Sequence, residues 1–245
     1  MPPLVQALLA TFAVSLIALV GIRVALGRGW SPRRELLFLS FAAGVLLATS
    51  FLELFPGALE RSGGDGRVFA AALAAMIVFF FLERFLHGFH VHEADSAGAS
   101  GSLILIGDGL HNFVDGVAIG ASFLAGPGLG IATTLAVAAH EIPQEIADAA
   151  LLLRSRFSRR AALALNFASG LTAVLGAVAI FAFREAVEGH LAWFMTATAG
   201  MFLYIAASDL IPELHRPRPG SSWLHTLPFL LGIGLVAALS ALVPH

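Results

Sequence analysis

The chain has no cysteine and no lysine, and charged residues occupy only 12% of its 245 positions. Without cysteine there is no disulfide framework, thiolate zinc site, iron–sulfur cluster or cysteine nucleophile, so any metal must be held by nitrogen and oxygen. Soluble domains carry about 25% charged and 45–50% apolar residues. Here hydrophobic residues reach 58%, and half the usual charge cannot coat a soluble globule. The solvent is therefore mostly lipid, which excludes a soluble enzyme, a nucleic-acid binder and a disordered chain. All 14 basic residues are Arg and the formal net charge is only -2. Bulk electrostatics thus identifies no partner, and the placement of the charges carries the information.

A bilayer core about 30 Å thick needs ~20 mainly apolar residues per helix. Eight runs meet that demand, at 3–26, 35–59, 67–88, 102–124, 128–153, 160–183, 190–212 and 224–243. They leave no room for a soluble domain, so the expectation is one all-α integral membrane domain over residues 1–245 with short loops. Met1-Pro2-Pro3 offers no basic stretch before the first run, and no small-residue cleavage site follows it, so that run reads as a retained helix. Arg23, Arg28, Arg33, Arg34, Arg84, Arg154, Arg156, Arg159, Arg160, Arg216 and Arg218 fall at the odd-numbered loops, against Arg61, Arg67 and Arg184 at the other side. By the positive-inside rule the odd loops are cytoplasmic and both termini extracytoplasmic. An alanine-rich, arginine-only composition points to a bacterial inner membrane.

One loop stands apart, His87 to Gly101, small and polar, with His87, His90 and His92 followed by Glu93 and Asp95. It reads either as a plain linker or as a weak metal-collecting tether on the cytoplasmic face.

Between Phe85 and Leu153 there is no Arg, yet the fourth and fifth runs contain Asp108, Asp115, Glu141, Glu145 and Asp148, with His111, Asn112, His140 and Gln144 beside them. An ionisable group near mid-bilayer costs a few kcal/mol even on the lenient scale. Five acids without a basic partner therefore require something positive to visit them. A single intramembrane histidine is most simply a hydrogen-bonded packing residue; two histidines among five acids are not. His111 and Asp115 are four apart and stack on one helical face, with Asp108 one turn earlier. The same spacing joins His140 to Gln144 and Glu141 to Glu145, with Asp148 a turn beyond Gln144. The turn Ala125-Gly126-Pro127-Gly128 makes the two helices an antiparallel pair. Imidazole with carboxylate suits zinc, iron(II), manganese or cadmium better than calcium or magnesium. Pro143 frees the Ala139 carbonyl beside the cluster, a bent-helix feature of transporter ion sites. Gly116, Gly120, Ser122, Gly170 and Gly176 read as close helix contacts, and Phe79-Phe80-Phe81 as lipid-facing or packing residues.

His111-Asn112-Phe113-Val114-Asp115-Gly116-Val117-Ala118-Ile119-Gly120 and His140-Glu141-Ile142-Pro143-Gln144-Glu145 resemble the fourth- and fifth-helix signatures of the ZIP (Zrt-, Irt-like protein) metal transporters, in the branch whose fifth helix reads HExPHE. Phe51-Leu52-Glu53-Leu54-Phe55-Pro56 and Gly200-Met201-Phe202-Leu203-Tyr204-Ile205 near Asp209 extend the resemblance over essentially the whole chain. It implies a 3+2+3 bundle, a homodimer, and a binuclear centre between helices four and five that passes a divalent ion toward the cytoplasm by alternating access. The first site would comprise His111, Asp115, His140 and Gln144. The second would use Asn112 and Glu141, with Asp115 bridging. Glu53 would be an entrance ligand or a solvated vestibule residue; Asp108, Glu145, Asp148 and Asp209 would be pathway ligands or proton acceptors. Gln144 departs from the branch's histidine and predicts weaker zinc affinity or broader metal choice.

The expected protein is thus a transporter and not an enzyme, with Zn2+, Fe2+, Mn2+ or Cd2+ as cargo, no cofactor, and divalent ions and the lipid bilayer as partners. Two rivals remain at this stage. His140-Glu141-Ile142-Pro143-Gln144 falls one residue short of the HExxH zinc-protease helix, and a sensor would bind metal without moving it.

Overall fold

A computed structural model describes residues 1–25, 31–92, 97–154, 157–215 and 225–242. Those residues are almost entirely helical, and no strand occurs among them. The helices are α1 (Pro3–Ala25), α2 (Pro32–Ala48), α3 (Phe55–Arg61), α4 (Phe69–His92), α5 (Ala97–Ala125), α6 (Pro127–Arg154), α7 (Arg159–Gly170), α8 (Thr172–Ala182), α9 (Arg184–Glu188), α10 (Leu191–Ile205), α11 (Ile211–Leu214) and α12 (Thr226–Leu242). Four continuous helical stretches are long and apolar enough to cross a bilayer: Arg33–Arg61, Gly66–Arg84, Arg159–Ala182 and Leu191–Leu214. Pro3–Ile17 and Thr226–Leu242 are shorter apolar helices. α5 and α6 have 29 and 28 residues, long enough by rise alone, and they carry Asp108, Asp115, Glu141, Glu145 and Asp148.

Helix starts follow the local chemistry. The Ser31 hydroxyl accepts from the Arg34 amide at 3.3 Å with Pro32 as the first helical residue, and the Ser158 hydroxyl accepts from the Ala161 amide at 3.2 Å. Each satisfies an amide that the helix leaves unpaired. Two stretches widen into π turns, Thr49–Leu54 and Ala206–Leu210. In each, the amide five residues on reaches back, Phe55 to the Ser50 carbonyl and Ile211 to the Ala206 carbonyl, and a proline follows directly, Pro56 or Pro212. A proline lacks the N–H that would close the ordinary helical ring, so the preceding turn can open. Both π turns bear an acid in the same setting, Glu53-Leu54-Phe55-Pro56 and Asp209-Leu210-Ile211-Pro212.

The α5/α6 pair links two groups of helices. α1, α7 and α8 pack on one side of it; α2 to α4 and α10 to α12 pack among themselves and reach the pair through α2, α4, α10 and α12. α5 and α8 approach closely. A Cβ on Gly116 would run into the Ala173 carbonyl, and one on Gly176 into the Phe113 carbonyl. Among lipid tails, helices associate through such close packing and not through a hydrophobic drive. The core beside the site is built from small and branched residues, with Phe202, Leu46, Ile119 and Met201 fully buried.

One expected boundary differs. No proline interrupts the His87 to Gly101 stretch, and α4 continues to His92 while α5 begins at Ala97. Helix therefore takes up much of the expected loop. Glu93, Asp95 and the side chains of His87, His90 and His92 lie outside the described residues.

Candidate metal centre

His111 and Asp115 project from one face of α5, and His140 and Glu141 from the facing part of α6. Their ligand atoms converge. The His111 and His140 Nε2 atoms are 3.3 Å apart. Asp115 Oδ2 lies 3.5 Å from the first and 3.4 Å from the second, and Glu141 Oε1 lies 3.6 Å and 3.7 Å from them. All four atoms fall within 4.8 Å of one another. A tetrahedron with metal–ligand arms of about 2.0–2.2 Å has edges of about 3.3–3.6 Å, close to the separations of 3.3–3.7 Å between the two ring nitrogens and from each of them to the two carboxylates.

The polarity of the cluster points the same way. The His140 Nδ1 lies 3.0 Å from the Ala136 carbonyl. A carbonyl only accepts, so Nδ1 carries the proton and Nε2 turns a lone pair inward. Both Asp115 oxygens and Glu141 Oε1 are buried and accept no hydrogen bond. Two buried carboxylates and two imidazoles therefore face one point, without an arginine among the described residues to neutralise them. Buried charge of one sign is costly unless paired, and a divalent cation balances two carboxylates. Asp115, His140 and Glu141 are at most 1% exposed. Phe79 stands edge-on to His111 at 6.2 Å and Phe202 to His140 at 6.1 Å, sheltering the rings.

The other expected residues are distributed around this centre. The Asn112 amide donates to Asp108 Oδ1 at 2.9 Å and to the Asp108 carbonyl at 3.1 Å, while its own Oδ1 is buried and unpartnered. Gln144 is half-buried, and its amide interacts with Asp108. Glu141 thus stands in the converging set where the sequence placed Gln144. α5 faces the edge of α6 between positions 140 and 141, about 100° apart on the helix, and not the line from 140 to 144. Asp108 and Glu145 are buried; Ser169 donates to Asp108 and Asn166 to Glu145. Asp148 is half-buried and within electrostatic reach of Asp108.

Glu53 is 2% exposed. It lines a cavity of about 380 Å³ with Glu60, Arg61, Met195 and the Ala125–Leu129 turn. Arg61 closes one edge of that cavity by donating to the Ala125 carbonyl. Asp209 is exposed and accepts from the Ser208 hydroxyl at 2.7 Å.

Sequence reasoning passed over Asn166 and Ser169, and also Glu83, to which the Tyr204 hydroxyl donates. The signal for the first two was a polar pair three residues apart inside an otherwise apolar run, Ala161 to Gly170.

The profile of the ZIP Zinc transporter family matches residues 2–102 and 91–240. Among curated proteins, the chain is 41% identical to zinc transporter ZIP4 of Mus musculus over 141 residues, covering 58% of this chain and 21% of that protein. It is 34% identical to zinc transporter ZIP13 of Pongo abelii over 221 residues, covering 84% and 66%. It is 39% identical to zinc transporter SLC39A7 of Mus musculus over 162 residues, covering 61% and 34%. The chain thus spans about a fifth to two thirds of the length of these relatives.

Proposed function

Since the chain belongs to the ZIP zinc transporter family, we propose that it carries divalent metal ions, zinc foremost, across a bilayer toward the cytoplasm through the cluster between α5 and α6. The observation that supports this reading best is the convergence of ring nitrogens of His111 and His140 with carboxylate oxygens of Asp115 and Glu141, those oxygens being buried and without a hydrogen-bond partner. Zinc accepts this geometry and this ligand set readily. The family is one of transporters, so the protease reading of His140-Glu141-Ile142-Pro143-Gln144 is set aside.

In this reading, eight helices span the membrane with both termini outside, and the Glu53 cavity is the external vestibule that collects the ion. His111, Asp115, His140 and Glu141 strip its water and hold it. Asn112 and Gln144 flank that position, with the Asn112 oxygen available to a second ion beside Asp115 and Glu141. Oxygen and nitrogen ligands exchange readily, as an ion that must be released requires. Alternating access opens the cluster to the cytoplasmic side, and the protein functions as a homodimer.

The test is zinc entry into proteoliposomes containing an entrapped fluorescent zinc indicator, comparing the unaltered protein with His111→Ala and His140→Ala. Saturable entry lost in both variants is expected. Zinc binding without entry by the unaltered protein would contradict transport and favour a sensor.

A further inference from the structure

A second polar cluster lies about one helical turn from the four-atom centre. Asp108 precedes His111 by three residues on α5, and Glu145 follows Glu141 by four on α6. Because the helices run antiparallel, both acids are displaced toward the same end of the pair, by about 4.5–6 Å along its axis. Asp108 is 4% exposed and Glu145 1% exposed. Neither forms an ion pair with an arginine among the described residues. Each instead meets an asparagine, Asn112 at Asp108 and Asn166, from α7, at Glu145. The Ser169 hydroxyl lies within reach of both Asp108 and the Asn166 carbonyl, the latter at 2.8 Å, and ties α7 to the cluster.

The two asparagines supply the independent observation. Asn112 is 1% exposed and Asn166 fully buried, and in both the Oδ1 atom has no hydrogen-bond partner. Each amide nitrogen donates to a carboxylate of this cluster, which sets the bare oxygen beside that same carboxylate. A buried amide oxygen left without a donor is destabilising. If the Asn166 amide turns over, its donor leaves Glu145 and its oxygen takes that place, so one side chain serves a bare carboxylate in one orientation and a shared cation in the other. Asn112 stands in the same relation to Asp108.

We propose that Asp108, Glu145 and the amide oxygen of Asn166 form a further divalent-cation site that receives the ion from the four-atom centre. An all-oxygen site of two carboxylates and an amide binds zinc less tightly than one containing imidazole. Passage from the centre to this site therefore runs from tighter to looser ligands, as onward release requires. The proposal rests on the transport reading above, and its test separates the two.

The experiment counts cadmium ions bound per chain of the purified full-length protein by mass spectrometry, at cadmium raised until the count for the unaltered protein stops rising. Glu145→Gln and Asn166→Ala each bind one ion fewer than the unaltered protein. His140→Ala, which disables the four-atom centre, combined with Glu145→Gln loses the ions of both sites. A merely structural role for Glu145 predicts either the full count or loss of every ion, and each of those results overturns the proposal. Asn166→Ala removes no charge, so it keeps the comparison decisive if Glu145→Gln fails to fold. Zinc flux distinguishes the two readings: an unaltered protein that binds at both sites without transporting contradicts the transport reading and leaves this site standing.

Discussion

The His111 and His140 Nε2 atoms stand 3.3 Å apart, and Asp115 Oδ2 lies 3.5 Å from one and 3.4 Å from the other. Two imidazole lone pairs so close to a carboxylate repel one another unless a proton or a metal ion sits among them. The pair therefore predicts that each ligand matters for binding by itself. Loss of an outer-shell partner alone weakens metal affinity by about 10–100-fold. Loss of His111, Asp115, His140 or Glu141 exceeds that, as measured by zinc titration of the purified variants. Asp115→Asn or Glu141→Gln binding zinc as tightly as the unaltered protein would remove that residue from the centre.

The cavity at Glu53 predicts a kinetic split. A buried carboxylate lining an acid-bearing cavity raises the local cation concentration without taking part in release. Glu53→Gln should raise the KM for zinc by up to about tenfold with little change in kcat. The effect should shrink at high ionic strength, where charge is screened. An equal fall in kcat would place Glu53 on the main ion path instead.

Gln144 stands one turn from His140, where an amide oxygen is a poorer zinc ligand than an imidazole. Gln144→His should tighten zinc binding and increase discrimination against manganese, read by competition of the two ions for uptake. Unchanged affinity and selectivity would show that position 144 does not contact the ion.

The α5–α8 contact predicts where the bundle cannot tolerate a methyl group. Gly116→Ala would drive a Cβ into the Ala173 carbonyl, and Gly176→Ala into that of Phe113. Neither backbone can move far, so each should cost about 1–3 kcal/mol, the range for overpacking a tight core. Gly126→Ala, with open space around its Cβ, is the matched control. Thermal unfolding in detergent should separate the first two from the third.

Much of the site was legible because helical spacing fixes it. His111 with Asp115 on one helix follows from the four-residue repeat, and the short turn at Gly126 sets His140 on the next helix against them. The choice between Glu141 and Gln144 as the fourth group was not legible. It depends on the rotation of α6 about its own axis, and that is set by close packing against α1, α2 and α5. Asn166 and Ser169 were hidden for a similar reason, since α7 lies far along the chain and only folding brings it to Asp108 and Glu145. The π turns at Glu53 and Asp209 were written in a repeated acid, Leu, apolar, Pro pattern, but a proline alone does not distinguish a kink from a widened turn. The single apolar run expected over 160–183 divides at Leu171 into α7 and α8.

Transport through the α5/α6 cluster requires the ion to sit among its imidazoles, and zinc-edge X-ray absorption of the zinc-loaded protein measures that most directly. At one zinc per chain, the predicted spectrum shows four light ligands at about 2.0–2.1 Å, two of them with the multiple scattering of imidazole, and that signature is lost in His140→Ala. A shell of oxygen ligands without imidazole scattering, identical in the unaltered protein and in His140→Ala, would contradict it.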